Sequence, residues 1–272
     1  MRNIVAKAIA GLLLLARRKL RNRRIIRKRQ TAFIETSTFV TPEPGAGYGN
    51  TEILERVQQA VKKVMLGDAK FERDSVTFSA AELEWPLWGL IGWCRVQGKP
   101  LRILDFGGSL GSKFLQLRPF LDESEIEWRV VEQQAFVDAG NALFSGYPIG
   151  FYSSIAGATE GWRPSLVYVG SALQYLEDPF GTLTQLSSLR AEYFLLDKTP
   201  IRRGVELTAN QRVSPDIYAA EYPMRIFSKT EVTEHMSEWW DLLSIDTLPA
   251  STTYTDRGNA FSWLRILWRA SE

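Results

Sequence analysis

Residues 101–111 read LRILDFGGSLG, an apolar strand that ends on Asp105 and opens into a loop with glycines at 107, 108 and 111. Such a strand suits a parallel sheet buried on both faces, and the carboxyl ends of the strands are where open α/β sheets bind ligands. Gly107 and Gly108 lack a Cβ, so they accept positive φ and let a flat ligand lie against the backbone. Gly111 lets the next helix start close to the strand. Asp105 is expected to face the cleft so formed.

From this stretch onward, strand and helix patterns alternate, as in a parallel sheet with crossover helices. Strands are expected at 101–104, 127–131, 149–152, 166–169 and 193–196. The helices between them are expected at 112–120, 134–144 and 180–189, with a short turn near 157–162. At the C-terminus the pattern changes, and 239–246 and 261–268 read as an antiparallel pair closing the sheet. Upstream, TEILERVQQAVKKVML (51–66) repeats its apolar residues at three and four positions and predicts an amphipathic helix. FERDSVTF (71–78) follows, then an aromatic segment with Trp85, Trp88 and Trp93, residues expected to pack in a core. TPEPGAGYGN (41–50) reads as a loop.

The chain has 272 residues, 45% apolar and 12% aromatic, enough for one large α/β domain with additions. Its single cysteine, Cys94, excludes an internal disulfide, and no metal site is expected. The net charge of +2 conceals an asymmetry. Residues 1–30 hold eleven Lys and Arg and no acid, which leaves 22 basic against 31 acidic residues, a net of −9, in the rest. An acidic body of this kind repels polyanions, so no nucleic-acid partner is expected. The tail, MRNIVAKAIAGLLLLARRKLRNRRIIRKRQ, has an apolar run from Ala8 to Ala16, about half of the ~20 residues that span a bilayer. Arg17, Arg18 and Lys19 follow at once where a signal peptide would need a small-residue cleavage site. It reads as a helix lying on an anionic leaflet with Ile4, Ile9, Leu12 and Leu13 inward. A cytoplasmic protein peripheral to the inner face of the membrane is the corresponding expectation.

A dinucleotide site wants Gly-x-Gly-x-x-Gly directly after the strand. Here the acid precedes the first glycine, which suits a ligand without pyrophosphate and with a cationic amine, as S-adenosylmethionine has. Its ribose diol calls for a carboxylate at the end of the second strand, and Glu132 ends WRVVE. On Asp105, Gly107, Gly111 and Glu132 the chain resembles the class I S-adenosylmethionine-dependent methyltransferases. That resemblance implies an α/β, Rossmann-like methyltransferase fold, with a mostly parallel seven-stranded sheet and an antiparallel C-terminal strand pair. Domain bounds follow: a basic tail at 1–30, an N-terminal helical extension and linker at 31–98, and the methyltransferase domain at 99–272. Cofactor contacts are expected from Asp105, Gly107, Gly108, Gly111, Glu132, Ser153, Gly170 and Ser171. Ser153 follows the third strand, while Gly170 and Ser171 lie in SLVYVGSALQYLEDP (165–179), which is similar to the family's strand and Leu-x-His-Leu sequence with Tyr175 in place of histidine.

FERDSVTF, ALQYLEDP, LLDKTP (195–200) and EYPMRIFS (221–228) together look like a little-studied family of bacterial methyltransferases associated with surface polysaccharide biosynthesis. The resemblance implies a sugar or other polar small acceptor. Tyr175, Asp197 and His235 are the candidate catalytic groups, chosen as titratable groups at or after the ends of strands four and five, with His235 on an expected helix. Arg202, Arg203, Gln211, Arg212, Tyr218 and Tyr222 are candidates for an acceptor rim, and Tyr48 with Glu72, Arg73 and Asp74 for a lid. A catalytically silent fold that binds a partner, and a methyltransferase for a lipid-soluble acceptor, stay open as alternatives.

Overall fold

The computed structural model describes residues 31–41, 51–80, 85–98, 100–122, 124, 126–213 and 220–271. The basic tail, Tyr48 and Tyr218 lie outside the described residues, as do the side chains of Trp85 and Trp93. In chain order the N-terminal part comprises β1 (Ala32–Thr36), α1 (Thr51–Met65), β2 (Phe71–Arg73), β3 (Val76–Phe78) and α2 (Trp85–Gln97). Next come β4 (Leu101–Phe106), α3 (Ser112–Leu117), β5 (Ile126–Val131), α4 (Gln134–Leu143), β6 (Ile149–Tyr152) and α5 (Ile155–Thr159). β7 (Leu166–Gly170), α6 (Pro179–Ser187), β8 (Tyr193–Arg202), β9 (Leu207–Arg212) and β10 (Glu221–Ser228) follow, then α7 (Lys229–Met236), β11 (Trp240–Tyr254) and β12 (Ala260–Ala270).

The fold is the expected Rossmann-like α/β arrangement. Strands β6, β5, β4, β7 and β8 run parallel in that spatial order, and β12 and β11 close the sheet antiparallel beyond β8. Alternation along each strand divides the core into two layers. Ile103, Trp128, Val130, Tyr168 and Leu195 face the layer holding the buried residues of α1 to α4. Leu104, Val167, Val169, Phe194 and Leu196 face the layer built with α5, α6 and α7. β4, β7 and the start of β8 are thus covered on both sides, which is why LRIL, LVYV and YFLL are mostly apolar, whereas burial alternates along β6 and most of β5.

Two parts of the chain depart from expectation. The stretch after strand five, which holds the candidates for an acceptor rim, contains β9 and β10, and β1 joins them: β1 pairs with β9 from Ala32↔Arg212 to Thr36↔Thr208, and β9 pairs with β10. This three-stranded annex meets β8 where Phe227 and Ser228 run parallel to Ile201 and Arg202, beyond the end of β7. Residues 31–98, expected as a helical extension and linker, also contribute strands. β1 belongs to the main sheet, the buried residues of α1 pack in its core, and FERDSVTF is the hairpin β2–β3, with Phe71 and Phe78 stacked at 4.5 Å.

β8 also continues six residues past Leu196, because a bulge absorbs the polar pair that seemed to end it. Leu264 pairs with Thr199 and Ile266 with Leu196, so Asp197 and Lys198 together oppose Arg265. Lys198 takes a left-handed φ of 51° at this bulge. Bulges of this kind re-aim side chains next to sites.

Candidate functional site

A cavity of about 480 Å³ lies at the carboxyl ends of β4, β5, β7 and β8. Asp105, Gly107, Gly108, Glu132, Ser153, Gly170 and Ser171 all line it, so seven of the eight expected cofactor residues share one site. The eighth, Gly111, does not line the cavity. It packs beneath the loop, with φ at 70°, and a Cβ there would lie 2.7 Å from Ile149 Cδ1. This matches the reading that Gly111 brings the helix close to the sheet, and it makes that glycine a packing residue.

The loop that follows β4 is constrained from both sides. Gly107 has φ at 72°, and a Cβ on it would come 2.3 Å from Ala172 Cβ. A Cβ on Gly108 would come 2.4 Å from the Asp105 carboxyl. Asp105 is fully buried, and its Oδ2 accepts from Trp128 Nε1 at 3.0 Å. Its Oδ1 has no hydrogen-bond partner among the described residues. Burial pushes the Asp105 carboxyl up to about 7, against the Trp128 N–H and the charge of Lys113.

Glu132, one residue beyond β5, accepts from the backbone N–H of Ser109 at 3.2 Å and of Gln133 at 2.8 Å. Burial raises its carboxyl above the usual carboxylate range, and the two peptide donors oppose that rise. Glu132 thus grips the glycine loop while lining the cavity.

The cavity gathers unusual backbone as well. Of the six described non-glycine residues with positive φ, four line it: Asp74, Ser109, Ser171 and Lys198. Strain of this sort costs about 1–3 kcal/mol per residue and persists where surroundings enforce it, typically at functional sites. The β2–β3 hairpin forms one wall through Phe71, Glu72, Arg73 and Asp74, where the sequence reading had placed a lid.

The candidate catalytic groups separate. Tyr175 lines the cavity; its hydroxyl donates to Gln211 Oε1 at 2.8 Å, and its ring meets Tyr222 edge-on at 5.2 Å between centroids. Asp197 does not line the cavity. It is fully buried, where Oδ1 accepts from Arg265 Nε at 2.9 Å and Oδ2 from the Tyr168 hydroxyl at 2.9 Å. Its place in β8 gives it the same facing as Leu195, into the packed layer, and corrects its expected catalytic role. Lys198, the other residue of the bulge, lines the cavity wall instead. His235 sits on α7, away from the cavity, packed edge-on against Phe180 at 5.1 Å and Trp239 at 5.5 Å. It is a packing residue of that helix.

The acceptor-rim candidates divide likewise. Tyr222 lines the cavity and Gln211 supports Tyr175. Arg202 instead donates to the Val205 carbonyl, and Arg212 pairs with Glu221 at 2.8 Å. Sequence reasoning missed Lys198 and, on α3, Ser112, Lys113 and Gln116. The α3 residues follow Gly111 directly, so the glycine loop itself was the signal for them.

The arrangement offers a flat ligand a glycine-lined floor, a carboxylate for a diol and an aromatic wall. No family model matches the sequence, and no curated protein does. Among solved structures it is similar to the N-terminal domain of EvdMO1 in the presence of SAH and D-fucose, at 11% identity and a TM-score of 0.49, covering 80% of this chain and 97% of that one. A S-adenosylmethionine-dependent methyltransferase from Clostridium acetobutylicum ATCC 824 has 10% identity, a TM-score of 0.47 and coverage of 70% and 94%. Magnesium protoporphyrin IX methyltransferase from Synechocystis PCC 6803, with bound SAM, has 13% identity, a TM-score of 0.46 and coverage of 82% and 94%. At such identities and scores these are distant likenesses, and any functional assignment rests on the chain's own residues.

Proposed function

We propose that this chain is a S-adenosylmethionine-dependent methyltransferase acting on a sugar or another polar small acceptor in surface polysaccharide biosynthesis. The observation that carries the reading is the joint presence, in one cavity, of the glycine loop and Glu132 at the adjoining strand end. The chemistry fits the cofactor: a carboxylate for the ribose hydroxyls, loop glycines where any Cβ would collide, and a buried Asp105 oxygen still lacking a donor. When bound, S-adenosylmethionine supplies a methyl group on an already activated sulfonium.

The protein's task is then alignment and exclusion of water. Glu132 accepts from the ribose hydroxyls and keeps the loop in place through Ser109. Gly107 and Gly108 let the ligand approach the backbone. Tyr175, its hydroxyl occupied by Gln211, offers its ring together with Tyr222 as a face for the acceptor. Lys198 adds a positive charge to the cavity wall.

The eleven basic residues of the first thirty support peripheral association with the anionic inner face of the membrane. Among the described residues no helix is long and apolar enough to cross a membrane. Titration calorimetry with S-adenosylmethionine tests the main reading: the wild type binds and Asp105→Ala does not, whereas absence of binding by the wild type removes the enzyme. Deletion of the gene followed by mass analysis of the surface glycan tests the acceptor, with loss of a methyl group expected. For the tail, flotation of the full chain with anionic liposomes, lost on removing residues 1–30, is the expected result.

A further inference from the structure

Two carboxylates bracket the glycine loop. Glu132 holds the backbone N–H of Ser109 at one end. At the other, Glu72 accepts a hydrogen bond from the Ser112 hydroxyl, at the first residue of α3, and from the Ser75 N–H at 3.3 Å. Glu72 is 3% exposed yet lines the cavity, delivered there by a hairpin that packs on both α1 and α3. The hairpin's turn is held left-handed at Asp74 and Ser75, with φ of 51° and 65°. Strained backbone and a buried acid at a cavity wall are features a fold retains for a ligand rather than for stability.

Both carboxylates line the cavity, so a ligand held by Glu132 and crossing the loop would present its far end to Glu72. On the methyltransferase reading, on which this inference rests, that far end is the amino-acid end of S-adenosylmethionine. We infer that Glu72 accepts the ammonium group of that end, and that the β2–β3 hairpin is part of the cofactor site. One hydroxyl and one peptide N–H are little compensation for a buried carboxylate, and a cation supplies the rest. Lys113 on α3 lowers the Glu72 carboxyl by its charge alone, while its Nζ donates to Gln116 Oε1 at 3.2 Å, so a ligand cation in hydrogen-bond contact would add to it. Without ligand, burial pushes the Glu72 carboxyl up to about 7. The charged groups that act on it are Asp74 on its own hairpin and Lys113 on α3, and Arg73, Asp105, Glu132 and Lys198 line the same cavity. The buried positions of α1, which also packs on the hairpin, are the apolar Ile53, Val57, Ala60 and Val61.

The test is calorimetric binding of two probes to the full chain. S-adenosylhomocysteine carries the amino-acid end, and 5′-methylthioadenosine keeps the nucleoside and lacks it. Glu72→Gln is expected to weaken S-adenosylhomocysteine at least tenfold and to change methylthioadenosine less than twofold. Retained methylthioadenosine binding also shows that the variant is folded. In the wild type, lowering the pH from 8 to 6 is expected to weaken S-adenosylhomocysteine more than methylthioadenosine, the difference between the probes being the part due to Glu72, since Asp105 takes up a proton over the same range with either probe. This second measurement stands even if the variant does not fold. The inference is overturned if Glu72→Gln binds S-adenosylhomocysteine within twofold of wild type, or weakens both probes equally. It is overturned too if Asp105→Asn, and not Glu72→Gln, shows the selective loss. A wild type that binds neither probe overturns the methyltransferase reading itself, an outcome distinct from the others.

Discussion

Replacing Asp197 by alanine removes the carboxylate to which Arg265 Nε and the Tyr168 hydroxyl both donate. The two side chains of the ion pair are 0% and 7% exposed, so the charge left on Arg265 has little access to solvent. Breaking a buried pair from one side costs about 3–5 kcal/mol, mostly the uncompensated charge. For a domain of this size each kcal/mol lowers the melting temperature by roughly 2–4 °C, so Asp197→Ala is expected to melt about 6–20 °C below wild type. Scanning calorimetry and urea unfolding measure this directly. Replacing both partners, as Asp197→Leu with Arg265→Met, is expected to recover most of the loss, because apolar residues of similar volume substitute well for a buried pair. S-adenosylhomocysteine affinity at a temperature where Asp197→Ala is folded should stay within a few-fold of wild type. A variant that melts with the wild type but has lost methyl transfer would refute the structural role and return Asp197 to the chemistry.

Gly108→Ala places a Cβ 2.4 Å from the Asp105 carboxyl, and it is expected to destabilise by about 1–3 kcal/mol and to abolish cofactor binding, both read by thermal shift with and without S-adenosylhomocysteine. Glu132→Gln loses charge-assisted hydrogen bonding of about 1.5–3 kcal/mol, so calorimetry should show roughly 10- to 150-fold weaker S-adenosylhomocysteine binding. Asp105 has a folded pKa of about 7, above its ordinary value of 3.8, so the native state holds a proton that the unfolded chain has released. Its contribution to stability is therefore largest below pH 4 and is lost as pH rises toward 7, by at most about 1.4 kcal/mol per unit. Urea unfolding between pH 5 and 7 should show a shallower fall in stability for Asp105→Asn than for wild type.

The parallel core was legible because burial on both faces leaves a sequence signature, as in LRIL and LVYV. Glu132 and the loop glycines were legible because strand ends locate them. The annex was not: AFIET and LTANQR carry little apolar alternation, and a pairing between residues 32–36 and 207–212 leaves no local trace. Asp197 misled for a different reason. Its position at a strand end suggested the cleft, but the strand does not end there, and facing within β8 sends it inward while the bulge sends Lys198 out. Glu72 was read only as part of a lid with Arg73 and Asp74, since only the packing of the hairpin on α3 shows what it reaches.

The pairing of β1 with β9 has a mechanical consequence. Phe33 lies opposite Gln211, the residue that anchors Tyr175 at the cavity wall, and the strongly basic first thirty residues join the chain immediately before β1. A load applied to that segment is therefore borne by the strand beside Tyr175 at the cavity wall. If the segment is moored to a surface, the strand beside the cavity mouth is moored with it, through the five pairings of β1 with β9.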